Sequence, residues 1–242
     1  MPYPIFSKKE INLFKTSCAA AGQTFNIIKK IIRPGWTEKQ IAYQINKTMK
    51  FCGSQSLAFR TIVASGPNSS IPHHKTTNRK IKTNDIVLLD FGCKYNGFCS
   101  DISRTIFIGS PKPEWLKVHK IIQTAQQKVF THRVWFTQDT PVKASFVDGI
   151  ARNFISKKGF GKNFIHGLGH GIGTKVHQYF KISPKSKTIL KPGMVFTIEP
   201  GIYIKGKFGI RIEDTVYLSK TGLEILTKTV IIKSYANLSS LA

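Results

Sequence analysis

Apolar residues recur at helical spacing over four stretches, and short β-type runs lie between them, each bounded by capping or turn residues. Ser7-Lys-Lys-Glu10 has the form of a capping box ahead of a helix running to about Ile32, where Arg33-Pro34-Gly35 stops it. Thr37 to Gln40 caps a second helix that ends near Gly53. The pattern predicts a long helix over Pro113–Phe136 and another over Pro141–Lys158, the latter opened by Asp139-Thr-Pro. Strands are expected over 58–65, 86–92, 98–108, 194–199 and 208–218.

Two of the β segments carry paired acids. In the first, Asn96-Gly97 is a strong type I′ hairpin signal, because both central residues need positive φ. A two-residue loop pairs Tyr95 with Phe98 and puts Gly92 opposite Asp101. Asp90 then shares a face with Asp101 on the diagonal, and the missing side chain of Gly92 is expected to leave space between them. In the second, a turn centred on Gly206 brings Glu199 opposite Glu213 if no bulge intervenes. Like charges facing across strands destabilise a sheet. Two such pairs inside apolar strands point to a multivalent cation.

The chain also repeats itself. Ile81-Lys-Thr-Asn-Asp-Ile-Val-Leu-Leu-Asp90-Phe-Gly92 aligns with Leu190-Lys-Pro-Gly-Met-Val-Phe-Thr-Ile-Glu199-Pro-Gly201, matching Asp90 with Glu199. Helix, helix, then antiparallel strands, twice over, predicts one α+β domain of pseudo-twofold halves at about 1–125 and 126–242, with the sites where they meet.

Composition changes this picture little, and charge changes it more. The apolar fraction of 41% and charged fraction of 20% are ordinary for a globular chain of 242 residues. No run approaches the ~18 apolar residues of a membrane span, and the amino terminus has no leader-like apolar region. Cys18, Cys52, Cys93 and Cys99 are too scattered for a disulfide framework, so a cytoplasmic location is expected. Cys93 and Cys99 are read as packing residues. The net charge of +25 is unusual. It would attract nucleic acid or ribosomes weakly and non-specifically, but the lysines form no dense block.

Three histidines, His166, His170 and His177, fall among glycines 167, 169, 171 and 173, which argue against a helix and for a tight backbone path. Four carboxylates and one imidazole make an oxygen-rich donor set. It suits two divalent ions, with manganese preferred and cobalt, iron or zinc as alternatives. Two acids able to bridge point to a two-metal centre.

In order and spacing, Asp90, Asp101, His170, Glu199 and Glu213 resemble the five metal ligands of the pita-bread metallopeptidases, and the resemblance covers nearly the whole chain. Ala64-Ser-Gly-Pro-Asn-Ser-Ser-Ile-Pro-His73, His166-Gly-Leu-Gly-His170-Gly-Ile-Gly173, Glu199-Pro-Gly-Ile-Tyr203 and Arg211-Ile-Glu213-Asp214 resemble the Xaa-Pro aminopeptidases and proline dipeptidases in particular. That resemblance implies an exopeptidase acting on short Xaa-Pro peptides through a metal-bridging hydroxide, as a possible homodimer. It implies that Asp101 and Glu213 bridge the ions and that Glu199 also relays a proton. His73 and His177 would hydrogen-bond the developing oxyanion, His166 would line the substrate pocket, and Arg211 would orient the acids or a substrate carboxylate.

Two departures stand out. Xaa-Pro enzymes usually carry an additional amino-terminal domain, and here the catalytic domain is expected to start almost at Met1. Gln178 also follows His177, where the family commonly has Glu. The length alone suggests a methionine aminopeptidase-like exopeptidase as an alternative, and the charge suggests a non-enzymatic RNA- or ribosome-binding module of the same fold.

Overall fold

The computed structural model describes residues 3–136 and 141–228; Asp139 lies outside them. Helix α1 (Lys8–Ile31) starts at the expected box, with Ser7 Oγ accepting from the Glu10 amide and the Glu10 carboxylate accepting from the Ser7 amide. Thr37 and Gln40 do the same for α2 (Glu38–Phe51). Helix α3 (Pro113–Phe130) is shorter than predicted. Trp135 Nε1 donates to Val129 O at 2.6 Å, so the apolar run beyond the helix folds back on its last turn as a 3₁₀ segment, Arg133–Phe136. Helix α4 (Ala144–Lys157) starts later than Pro141, because Val142–Lys143 pairs as a strand with Ile189–Leu190.

The central sheet contains β1 (Ile62–Ser65), β2 (Asp85–Phe91), β3 (Ile102–Ile108), β4 (Val195–Ile198), β7 (Glu213–Ser219) and β8 (Gly222–Ile225). Its order is β4-β7-β3-β2-β1, with β8 pairing with the later part of β7 on the same edge that β3 occupies earlier. Strands β5 (Gly201–Ile204) and β6 (Phe208–Arg211) form a separate ribbon. Of the strand predicted over 58–65 only Ile62–Ser65 forms, and Ser56–Leu57, just before the predicted span, pairs with Cys93–Lys94. The β7–β3 contact, where Glu213 pairs with Ser103 and Asp214 with Ile102, joins the pair β3–β2 to the pair β7–β4, and β1 extends only the first of them.

Each hairpin keeps one register through an interruption. Asn96 and Gly97 both have positive φ, Tyr95 pairs with Phe98, and Asp90 pairs with Ser103 further along. In the second hairpin Ile198 pairs with Asp214 and Gly201 with Arg211, so Glu199 and Pro200 stand opposite Glu213 and Ile212 with no bulge. Gly92 serves a purpose other than the expected one. A Cβ there would lie 2.0 Å from Ser100 O, so its bareness admits a backbone carbonyl and does not open the gap between the acids.

Two main apolar clusters flank the central sheet, and the second draws on residues from both predicted halves. Phe25, Ile28, Ile41, Ile45 and Met49 of α1 and α2 pack on Val87 and Leu89 of β2. Val118, Ile122, Val147 and Ala151 of α3 and α4 pack with Phe196, Ile198 and Val216 of β4 and β7. Cys93 and Cys99 are buried, and burial pushes the Cys93 thiol up to about 12, which suits packing. Among the described residues no helix is long and apolar enough to cross a membrane.

Candidate metal centre

All five expected donors line one inner cavity of about 190 Å³. Asp90 comes from β2, Asp101 from the break before β3, Glu199 from the break after β4, and Glu213 from the first position of β7. His170 comes from a two-residue strand, Gly169–His170, that pairs with Lys181–Ile182. Gly169 is required there, because a Cβ would lie 1.9 Å from Thr197 O.

Each donor is aimed by a neighbour. Thr215 Oγ1 accepts from the Asp101 amide at 3.0 Å and donates to the Asp101 carbonyl at 2.9 Å, fixing its backbone. Glu213 Oε2 accepts from Ser103 Oγ at 2.6 Å. The Glu199 amide donates to Leu168 O at 2.8 Å. His170 Nδ1 lies 3.2 Å from Gly171 O; a proton on Nδ1 leaves Nε2 as the free lone pair, 3.5 Å from Glu199 Oε1 and 3.6 Å from Asp101 Oδ2. Ligand atoms of Asp101, His170 and Glu213 all lie within 4.8 Å of one another.

The electrostatics are unfavourable for the acids by themselves. Burial, then the charges of Glu213, Asp90 and Glu199, pushes Asp101 well above the ordinary carboxylate range. Burial and Glu213 do the same to Glu199. Burial and Asp90 raise Glu213 to about 7. Burial also raises Asp90, against the pull of Arg211. Burial, then His177, lowers the His170 ring to about 3, so it is a neutral donor. Asp101 Oδ1 is buried and has no hydrogen-bond partner among the described residues. Converging oxygens that resist ionisation, a neutral imidazole and an orphaned carboxylate oxygen together fit divalent cations.

The profile of metallopeptidase family M24 matches residues 12–220. The chain belongs to metallopeptidase family M24. It is 39% identical over 225 residues to an Xaa-Pro dipeptidase of Pyrococcus horikoshii, covering 93% of this chain and 63% of that relative. Its structure is similar to the prolidase of Pyrococcus furiosus (TM-score 0.88, 38% identity, 93% of this chain and 66% of that one). It is also similar to an X-Pro aminopeptidase of Thermotoga maritima (TM-score 0.86, 40% identity, 93% and 62%). The chain thus spans just under two thirds of the length of these relatives. Its architecture is the pita-bread fold.

Around the cluster, this M24 chain builds an outer cavity of about 560 Å³. His73 and His177 line both cavities, and the His177 ring meets that of His170 edge-on at 4.2 Å. His166 lines only the outer one, its Nε2 lying 3.0 Å from Tyr203 Oη. Burial, then the charge of Arg211, lowers the His166 ring to about 4. Arg211 is committed to one of the acids. It donates to Asp90 Oδ2 at 2.7 Å, Ser103 Oγ at 2.8 Å, Tyr203 Oη at 2.8 Å and Pro72 O at 3.3 Å. Of these four bonds, one reaches an expected donor, Asp90. Gln178 Oε1 accepts from the Lys175 amide at 3.1 Å, closing the turn that carries His177.

Sequence reasoning missed Lys181 and Tyr203 as site residues. Lys181 lines the outer cavity and is the cross-strand partner of His170, so both side chains share a face. A two-residue strand leaves no periodicity to read. Tyr203 lay in view within Glu199-Pro-Gly-Ile-Tyr203, but its hydroxyl's contacts with Arg211 and His166 exist only in the fold.

Proposed function

We propose that this chain is a dinuclear metal-dependent exopeptidase that hydrolyses the amino-terminal peptide bond of short Xaa-Pro peptides. The observation that carries the reading is the five-donor cluster, with its orphaned Asp101 oxygen, at the floor of a cavity walled by His73, His166 and His177. The likeness to an Xaa-Pro dipeptidase and to an X-Pro aminopeptidase supports the substrate class.

Asp90, Asp101, His170, Glu199 and Glu213 would hold two divalent ions, with Asp101 and Glu213 shared between them. Manganese suits this donor set, and cobalt, iron or zinc can replace it. Such ions, when bound, supply Lewis acidity and make water nucleophilic near neutral pH. Glu199 takes the proton from the attacking water and delivers it to the departing amine. His73 and His177 donate to the carbonyl oxygen as the carbon becomes tetrahedral and negative charge builds on that oxygen. Arg211 keeps Asp90 and Ser103 in place, and Ser103 in turn holds Glu213. Lys181 places a cation on the cavity wall, where the free carboxylate of a dipeptide can meet it.

The test is hydrolysis by manganese-loaded protein of Ala-Pro, Ala-Pro-Ala and Met-Ala-Ser. Cleavage confined to the proline peptides is expected. Cleavage of Met-Ala-Ser alone would instead make the chain a methionine aminopeptidase-like enzyme.

A further inference from the structure

Glu38, the first residue of α2, is fully buried at 0% exposure. A glutamate at a helix start ordinarily faces solvent, where it complements the helix dipole. This one turns inward. Its Oε1 accepts from the Ser65 amide (2.8 Å), the Ser65 hydroxyl (2.7 Å) and Asn68 Nδ2 (3.0 Å). Its Oε2 accepts from the Thr77 amide (2.9 Å) and hydroxyl (2.7 Å) and lies 2.9 Å from His74 Nε2. These contacts saturate the carboxylate, and all of them come from residues 65–77. Burial pushes its pKa up, but the bonds from Thr77, Asn68, His74 and Ser65 outweigh burial and hold it at about 2.

That segment carries His73. Residues 71–79 contain no helix or strand of their own, so their path rests on individual anchors: the Glu38 and Lys39 amides, which donate to Arg79 O and Thr77 O, and the Glu38 carboxylate. The far side of the segment is tied to the second half of the molecule. Ser69 Oγ accepts from the Gly209 amide at 2.9 Å, and Pro72 O accepts from Arg211. His73 is therefore flanked by two pinned neighbours, Pro72 and His74. The second half shows the same device. Asp148 of α4, also at 0% exposure, accepts from the Leu168 amide at 3.0 Å and from Arg152, which donates to Phe164 O and to the carbonyl of the cavity-wall residue His166.

We propose that Glu38 is a positioning residue for hydrolysis, the buried acceptor that holds His73 at the cavity wall by organising residues 65–77. The proposal rests on the peptidase reading above. Glu38 lines neither cavity, so it acts only through the segment it holds.

The experiment measures kcat and KM on Ala-Pro, and manganese stoichiometry by calorimetry, for the full chain. The variants are Glu38→Gln and the milder Thr77→Val, each alone and combined with His73→Ala. Glu38→Gln is expected to lower kcat about 10²-fold, the scale of a 1 Å misplacement, with KM and metal stoichiometry unchanged. In the His73→Ala background it should add no further loss. Thr77→Val should show the same pattern at smaller amplitude, and it decides the question if Glu38→Gln does not fold. Unchanged kcat in both variants, or losses that multiply with that of His73→Ala, overturns the proposal. An inactive wild-type protein sinks the peptidase reading instead. Hydrogen exchange over 65–77 then decides the anchoring: faster exchange in the Glu38 variant supports it, and equal exchange overturns it.

Discussion

His170 Nε2 and Asp101 Oδ2 stand 3.6 Å apart, too far for a good hydrogen bond, although both residues are buried. Their spacing leaves room for a shared partner, and their shifted acidities say what it must be. Folded-state pKa values of Asp101, Glu199 and Glu213 lie above the unfolded ones, so their contribution to stability is lost as pH rises through the folded values. Above pH 7 the rings of His166 and His170 are neutral folded and unfolded, and they add no slope. Metal-free protein should therefore lose stability as pH rises through about 7, the folded value of Glu213, with nothing regained from the histidine rings above it. Each proton released costs about 1.4 kcal/mol per pH unit, or roughly 2–4 °C in Tm per kcal/mol. Manganese should abolish the slope. Thermal melts with and without the ion check this, and a flat metal-free profile would contradict it.

His177 touches the His170 ring yet lies outside the group of Asp101, His170 and Glu213 whose ligand atoms converge. Replacing it with Ala should leave metal stoichiometry intact and lower kcat by about 10²–10³, the scale of one lost oxyanion donor. Calorimetry beside steady-state kinetics separates the two effects; full activity in the variant would remove His177 from the reaction.

Lys181 predicts how substrate length is sensed. Lys181→Met should raise KM for Ala-Pro about tenfold, the worth of one charge-assisted hydrogen bond. The amidated dipeptide, which has no carboxylate, should be unaffected. Equal KM changes for both peptides would show that Lys181 does not read the carboxylate.

Gly169 tests the close approach behind His170. A Cβ would lie 1.9 Å from the Thr197 carbonyl, an atom of the sheet backbone that cannot rotate away. Gly169→Ala should cost at least about 1–3 kcal/mol, as overpacking does, and should weaken metal binding by displacing His170. Denaturant unfolding and metal titration measure the two effects independently.

Much of the site was legible in the chain because its logic is local. The Asn96-Gly97 turn fixes the register that places Asp90 diagonal to Asp101, and the turn at Gly206 places Glu199 opposite Glu213. The Ile81–Gly92 run and its repeat at Leu190–Gly201 carry β2 and β4, each paired with the strand that follows its hairpin, β3 and β7. What stayed hidden depends on distant partners. Apolar Val134 and Trp135 looked like helix and instead fold back over the end of α3. Val142–Lys143 looked like a helix start and is a strand, because Ile189–Leu190 lies beside it. Glu38 read as an ordinary first-turn acid, since nothing nearby in sequence reveals the donors of residues 65–77 that surround it.

The most direct measurement is a manganese titration of the metal-free chain, followed by calorimetry, for the wild-type protein and Asp101→Ala. Two ions per wild-type chain, and fewer than two in the variant, are predicted, because Asp101 is assigned to both ions. Binding of one ion or none by the wild-type chain, or two by the variant, would contradict the dinuclear centre.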